Sequence, residues 1–158
     1  MQLITRSLSL LAISFLLVFT TSCSKDDDNA TPGTPANPNA FAFSFTANGT
    51  NYTCLEATIN VINVPNPLGG TLKSVSGVTT TGQTISFTCN PAVGSYSIGG
   101  FFSFNQLAFG SGANVSLCSS GTIAVTANNT STKKFSGTFS GSGTGLTITN
   151  GVFTNVGY

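Results

Sequence analysis

The chain has 158 residues, of which only 6% are charged, and it carries a net charge of +1 and no histidine. An average soluble protein is roughly 25% charged, and so few cations give no means of neutralising phosphates, which excludes nucleic acid as a partner. Arg6, Lys25, Asp26, Asp27 and Asp28 all precede residue 29, so the remainder holds only Glu56, Lys73, Lys133 and Lys134 among many Gly, Phe, Ser, Thr and Asn, the composition of a β-rich extracellular module.

Arg6 is followed by an apolar run from Leu8 to Phe19 and then by the small residues Thr20, Thr21 and Ser22. At about a dozen residues the run is too short to span a bilayer, which takes about 20, and it has the form of a secretory signal. The next residue is Cys23. An apolar run closed by small residues and a cysteine resembles the lipobox of bacterial lipoproteins. That resemblance implies that residues 1–22 are a lipoprotein signal peptide and that Cys23 is acylated, palmitate being one such acyl group. An ordinary signal peptide with Cys23 free is the alternative. Ser24, Lys25 and the acidic run Asp26 to Asp28 resemble the export signal of some Gram-negative lipoproteins. This implies a lipid-anchored, surface-exposed position on the cell outer membrane, with a solvated spacer as the alternative. Pro32, Pro35 and Pro38 then recur every third residue up to Ala40 with no large apolar side chain among them. Residues 23–40 are thus expected to be the cysteine that the lipobox resemblance implies is lipidated, followed by a disordered linker that reaches roughly 50 Å at about 3.1 Å per residue.

From residue 41 to 158 the apolar signal has period two and predicts one all-β domain. Phe41, Phe43 and Phe45 alternate with small or polar residues. So do Leu55, Ala57, Ile59 and Val61, then Ile85, Phe87 and Cys89, Val115 and Leu117, Ile123 and Val125, Phe135 and Phe139, and Leu146 and Ile148. Turn residues separate these runs, among them Asn48-Gly49, Asn66-Pro67, Thr81-Gly82, Asn90-Pro91 and Asn128-Asn129. About eight or nine short strands at this spacing predict an antiparallel β-sandwich, with a closed meander β-barrel as the alternative. The sandwich is favoured because the inward residues are large and leave no evident cavity. Gly151 lies inside a strand pattern and shifts the apolar phase from Leu146 and Ile148 to Phe153, which predicts a bulge.

The stretches Gly94-Ser95-Tyr96, Gly121-Thr122-Ile123, Phe135 to Ser140 and Ile148 to Phe153 resemble the signature strands of an uncharacterised family of small, all-β bacterial surface lipoproteins of unknown function. The resemblance is densest after Gly94. It implies a fold and a location and assigns no functional residue.

No enzyme is expected. Paired-carboxylate catalysis needs two acids where the domain offers Glu56 alone, and a Ser or Cys nucleophile lacks a His base. Neither zinc nor calcium has a ligand set, and the Gly-rich stretches sit between strands with no following helix to cradle phosphate, so no metal and no cofactor is expected.

Cys54, Cys89 and Cys118 are an odd number in an oxidising envelope, which predicts one disulfide and one thiol left over. Cys89 shares the apolar phase of Ile85 and Phe87, whereas Cys54 and Cys118 are out of phase with Leu55 and Leu117. A disulfide joins side chains on one side of a sheet. The expected bridge is therefore Cys54 to Cys118, closing a loop of about 65 residues, with the two pairings through Cys89 as alternatives and Cys89 otherwise a buried small hydrophobe.

The segment from Gly99 to Gly112 packs Phe101, Phe102, Phe104, Leu107 and Phe109 between glycines. Core packing is the plainer account of these residues. The functional one is an outward apolar patch of Phe101 with Leu107 or Phe109, placed to meet an envelope protein or a glycan. Three functions fit the whole chain: a displayed binding module, a structural envelope lipoprotein without a specific ligand, and a carrier of a small apolar molecule should the barrel close.

Overall fold

The computed structural model describes residues 40–99 and 103–158, so the signal segment, Cys23, most of the linker and Phe101 lie outside the described residues. The described residues form eleven strands. These are β1 (Ala42–Ala47), β2 (Thr50–Thr53), β3 (Asn60–Pro65), β4 (Thr71–Val78), β5 (Thr84–Cys89) and β6 (Gly94–Ile98), then β7 (Gln106–Ser111), β8 (Asn114–Leu117), β9 (Ser120–Asn129), β10 (Lys134–Gly143) and β11 (Leu146–Gly157). They build two sheets, one of six strands in the order β2-β1-β11-β10-β9-β6 and one of five in the order β3-β4-β5-β7-β8. Every pairing is antiparallel. The expected sandwich is the architecture, and the barrel alternative is not: the sheets do not close on each other, and aromatic side chains fill the space between them.

Alternation produces this core. Phe43 and Phe45 on β1, Ile85, Phe87 and Cys89 on β5, Phe135 and Phe139 on β10, and Phe153 on β11 all face inward and are buried. Phe87 on the five-stranded sheet meets the rings of Phe43, Phe139 and Phe153 on the other, its centroid 4.9 Å from that of Phe153, and within the six-stranded sheet Phe43 and Phe139 stand 5.8 Å apart in an edge-to-face pair. The β1–β2 turn follows from Asn48-Gly49: their φ angles of 49° and 82° are the left-handed pair that a two-residue hairpin loop requires.

The bulge expected at Gly151 is present, and β11 holds a second. Between Thr149 and Val152 the strand carries an extra residue relative to β1, and Asn150 takes φ 52° to absorb it. Asn155 takes the same φ of 52° where Phe153 and Val156 pair with Gly137 and Phe135. Each bulge resets the phase, so Leu146 and Ile148, then Phe153, then Val156 all reach the core. Asparagine serves here because its short polar side chain tolerates the left-handed region.

Several expectations are corrected. The run Leu55, Ala57, Ile59 and Val61 is not one strand, since Glu56–Thr58 is a 3-10 turn, Leu55 is 46% exposed and β3 begins at Asn60. The reason lies in Thr58, whose hydroxyl accepts the Val78 N–H at 2.9 Å and donates to the Leu55 carbonyl at 2.7 Å, so a side chain replaces the ladder there. On β8 the apolar phase is inverted. Val115 and Leu117 are 50% and 61% exposed while Cys118 is buried.

The Cys54 to Cys118 disulfide is not formed: Cys54, Cys89 and Cys118 are all free and buried. The phase argument failed because its reference residues, Leu55 and Leu117, are themselves the exposed ones. Cys54 bridges Thr79 just past the end of β4, on the side of β4 that carries β3, whereas Cys118 follows β8 at the opposite edge of that sheet. Four strand spacings of about 4.8 Å separate them, far beyond the roughly 7 Å between Cα atoms that a disulfide spans. Burial pushes the Cys54 and Cys89 thiols up to about 12 and raises Cys118 as well, which leaves all three protonated and unreactive at neutral pH.

Candidate functional site

Of the residues expected in an apolar patch, two are among the described residues. Leu107 faces the core and is fully buried, and half-buried Phe109 packs its ring against Phe45 at 5.1 Å and Tyr52 at 4.9 Å. Phe101 lies outside the described residues. The plainer account, core packing, holds for Leu107 and Phe109.

The six-stranded sheet offers a different surface. When one phase of every strand points into the sandwich, the other must point to water, and here that phase is almost wholly hydroxyl-bearing. Register places Ser97 beside Thr122, Thr122 beside Ser140, Thr149 beside Thr46 and Thr46 beside Asn51, with Ser140 opposite the Thr149-Asn150 bulge. One polar row therefore crosses all six strands, about 24 Å at five spacings of about 4.8 Å. A parallel row runs Ser95, Ala124, Thr138, Val152, Ser44, Thr53, and a shorter one joins Ser120, Ser142 and Thr147. None of these side chains is charged.

The face is also indented. A depression of about 550 Å³ lies over β9, β10 and β11, lined by Thr122, Thr138, Ser140, Thr149, Asn150 and Val152. Asn150 lines a second one too, of about 340 Å³, with Ser44, Thr46, Asn51 and Thr53. Within the rows some hydroxyls already pair, as Thr46 does by donating to the Asn51 side-chain Oδ1 at 2.7 Å and Ser120 with Ser142 at 3.0 Å. Each hydroxyl both donates and accepts. Such a face matches a ligand that is itself neutral and rich in hydroxyl groups, and because each hydrogen bond exchanged with water nets only about 0.5–1.5 kcal/mol, the ligand has to span several rows. The signal was present in the sequence as the polar half of each alternating run, and reading only the apolar half passed over it.

A second feature closes one end of the sandwich. Lys73 shares the inward phase of Val75 and is only 6% exposed, with its ammonium 3.3 Å from the centroid of the Tyr158 ring. Lys133 reaches over the same ring at 5.5 Å. The Tyr158 hydroxyl donates to the Asn128 side chain at 2.8 Å, and the Asn128 amide donates to the Pro91 carbonyl at 3.0 Å, which fixes the ring. Burial lowers the Lys73 pKa, and the like charge of Lys133 lowers it further. Among the described residues no three His, Cys, Asp or Glu side chains converge as metal ligands would.

No family model, no curated protein and no solved structure matches this chain.

Proposed function

We propose that the protein is a lipid-anchored lipoprotein of the bacterial cell envelope that displays a non-catalytic β-sandwich as a binding module, of the same kind as the small all-β surface lipoproteins its strand motifs resemble. Cys23 carries the acyl groups, the proline-spaced linker tethers the domain to the outer membrane, and the outward face of the six-stranded sheet makes the contact. The observation that carries this reading is the charge-free row of hydroxyl and amide groups across β6, β9, β10, β11, β1 and β2, indented at its centre. Its chemistry favours a neutral glycan over a protein partner, since the face has no aromatic anchor of the sort that dominates protein interfaces.

Two expected results test the reading. Anchoring through more than one acyl chain is stable whereas a single chain binds marginally, so labelled palmitate fed to cells should enter the parent protein and not the Cys23→Ala variant. A parent protein that takes up no label would overturn the anchor. Ser140→Lys, at the centre of the exposed row, should leave the melting temperature unchanged within the usual range for surface substitutions, about 0.5 kcal/mol. In affinity electrophoresis through neutral polysaccharides the same variant should lose at least about ten-fold in retardation, the factor that corresponds to 1.4 kcal/mol. A parent protein that no neutral polysaccharide retards would remove the glycan assignment.

A further inference from the structure

We propose that the lysine end of the sandwich docks on the anionic phosphate headgroups of the membrane surface that holds the tether, an inference that rests on the lipid-anchor reading of Cys23. Past residue 40 the chain carries three cations and one anion, and the fold sorts them to opposite ends. Lys73 and Lys133 meet over the Tyr158 ring. Lys134 pairs with Gly157 on the neighbouring strand, beside that ring, and its ammonium donates to the Asn155 carbonyl at 3.3 Å.

Glu56 sits at the far end. The backbone N–H of Leu55, next to it, donates to the Val78 carbonyl at the finish of β4, whereas Lys73 lies near the start of that strand. Five residues of strand are about 17 Å, beyond the Debye length of about 8–10 Å in physiological salt, so the single carboxylate does not offset the lysines.

The linker joins the domain at the lysine end. The Asn155 side-chain amide donates to the Ala40 carbonyl at 3.1 Å, so the residue that holds Lys134 also holds the point where the chain enters the sandwich. A tether entering there keeps the end that carries exposed Lys133 and half-buried Lys134 nearest to the point of attachment. Lys73 and Lys133 also converge on one ring with no carboxylate side chain nearby among the described residues, so a phosphate oxygen would meet cations that no acidic side chain neutralises. Docking by this end leaves the hydroxyl face of the six-stranded sheet upright and open, so both contacts are compatible.

The test uses the full chain carrying Cys23→Ala, which retains Asp26 to Asp28 as natural competitors for the lysines. It compares sedimentation with vesicles of phosphatidylcholine alone and of phosphatidylcholine mixed with phosphatidylglycerol. The apolar leader contributes to both, so the readout is the ratio between compositions. The expected result is a preference for the anionic vesicles that falls about five-fold with each of Lys133→Gln and Lys134→Gln, the worth of one cation near such a surface, and that high salt erases. Glu56→Gln should leave the ratio unchanged. Equal binding to both vesicles, or a preference indifferent to the lysine substitutions, overturns the proposal. So does a lysine-dependent binding of inorganic phosphate with no vesicle preference, which would assign the end to a free phosphate ligand. Because the ratio is measured without acylation, failure of the anchor reading appears separately, in the palmitate labelling of the parent protein.

Discussion

Phe153→Ala is expected to remove about 3–5 kcal/mol of stability, from the transfer free energy of the ring and the cavity left behind. The ring is fully buried and stands where the two sheets meet. Its neighbours are Phe87 at 4.9 Å from the five-stranded sheet, and Phe135 at 5.1 Å, Phe139 at 6.4 Å and Phe43 at 6.5 Å from its own. Rings held on both sides cannot collapse into the space without breaking strand register. Since small domains have a total stability of about 5–15 kcal/mol, the variant should be close to half unfolded in mild denaturant. The check is the midpoint of urea unfolding followed by the fluorescence of the three tyrosines, in a chain that has no tryptophan to obscure them. A loss under about 1 kcal/mol would show that the aromatic cluster repacks freely. Val152→Ala, one residue away on the outer phase, should stay within about 0.5 kcal/mol.

Gly151→Ala and Gly137→Ala should each cost about 1–3 kcal/mol, although replacing glycine in a strand ordinarily helps by about 0.4–1 kcal/mol. The sign reverses because these glycines leave room for rings. Gly137 pairs directly with Phe153 and Gly151 with Phe139 on the neighbouring strands β10 and β11. A Cβ at Gly137 would stand 2.2 Å from the Ala124 carbonyl oxygen and 2.5 Å from the Phe153 ring. At Gly151 it would stand 2.4 Å from the Phe139 carbonyl oxygen and 2.5 Å from the Phe139 ring. Carbonyl oxygens in a ladder do not move aside, so the strands would have to part. Gly157, in the same strand as Gly151 but with nothing within 4 Å of a Cβ, is the control, and Gly157→Ala should be neutral or gain up to about 1 kcal/mol. Thermal melts of the three variants decide the matter, and a stabilised Gly151→Ala or Gly137→Ala would remove the account of Phe and Gly alternating along β10.

The amino-acid sequence by itself determined what a strand period and a turn residue can determine. Phe43 with Phe45, Ile85 with Phe87 and Phe135 with Phe139 declared the inward phase, Asn48-Gly49 declared its hairpin and Gly151 declared its bulge, because each is a property of a few adjacent residues. Alternation says which residues share a side, but not which side is covered. Leu55 and Leu117 are apolar and exposed, Lys73 is charged and buried, and only the partner sheet and the Tyr158 ring decide this. Strand order is likewise out of local reach: β1 lies beside β11, the first strand against the last, and no residue near either one announces it. The same nonlocality set Cys54 and Cys118 at opposite edges of one sheet, brought Ser97, Thr122, Ser140, Thr149, Thr46 and Asn51 into a single row, and gathered the lysines at one end. Each of these depends on pairing between segments far apart in the chain, where the free energy comes from the sum of many buried contacts and not from the identity of any one residue.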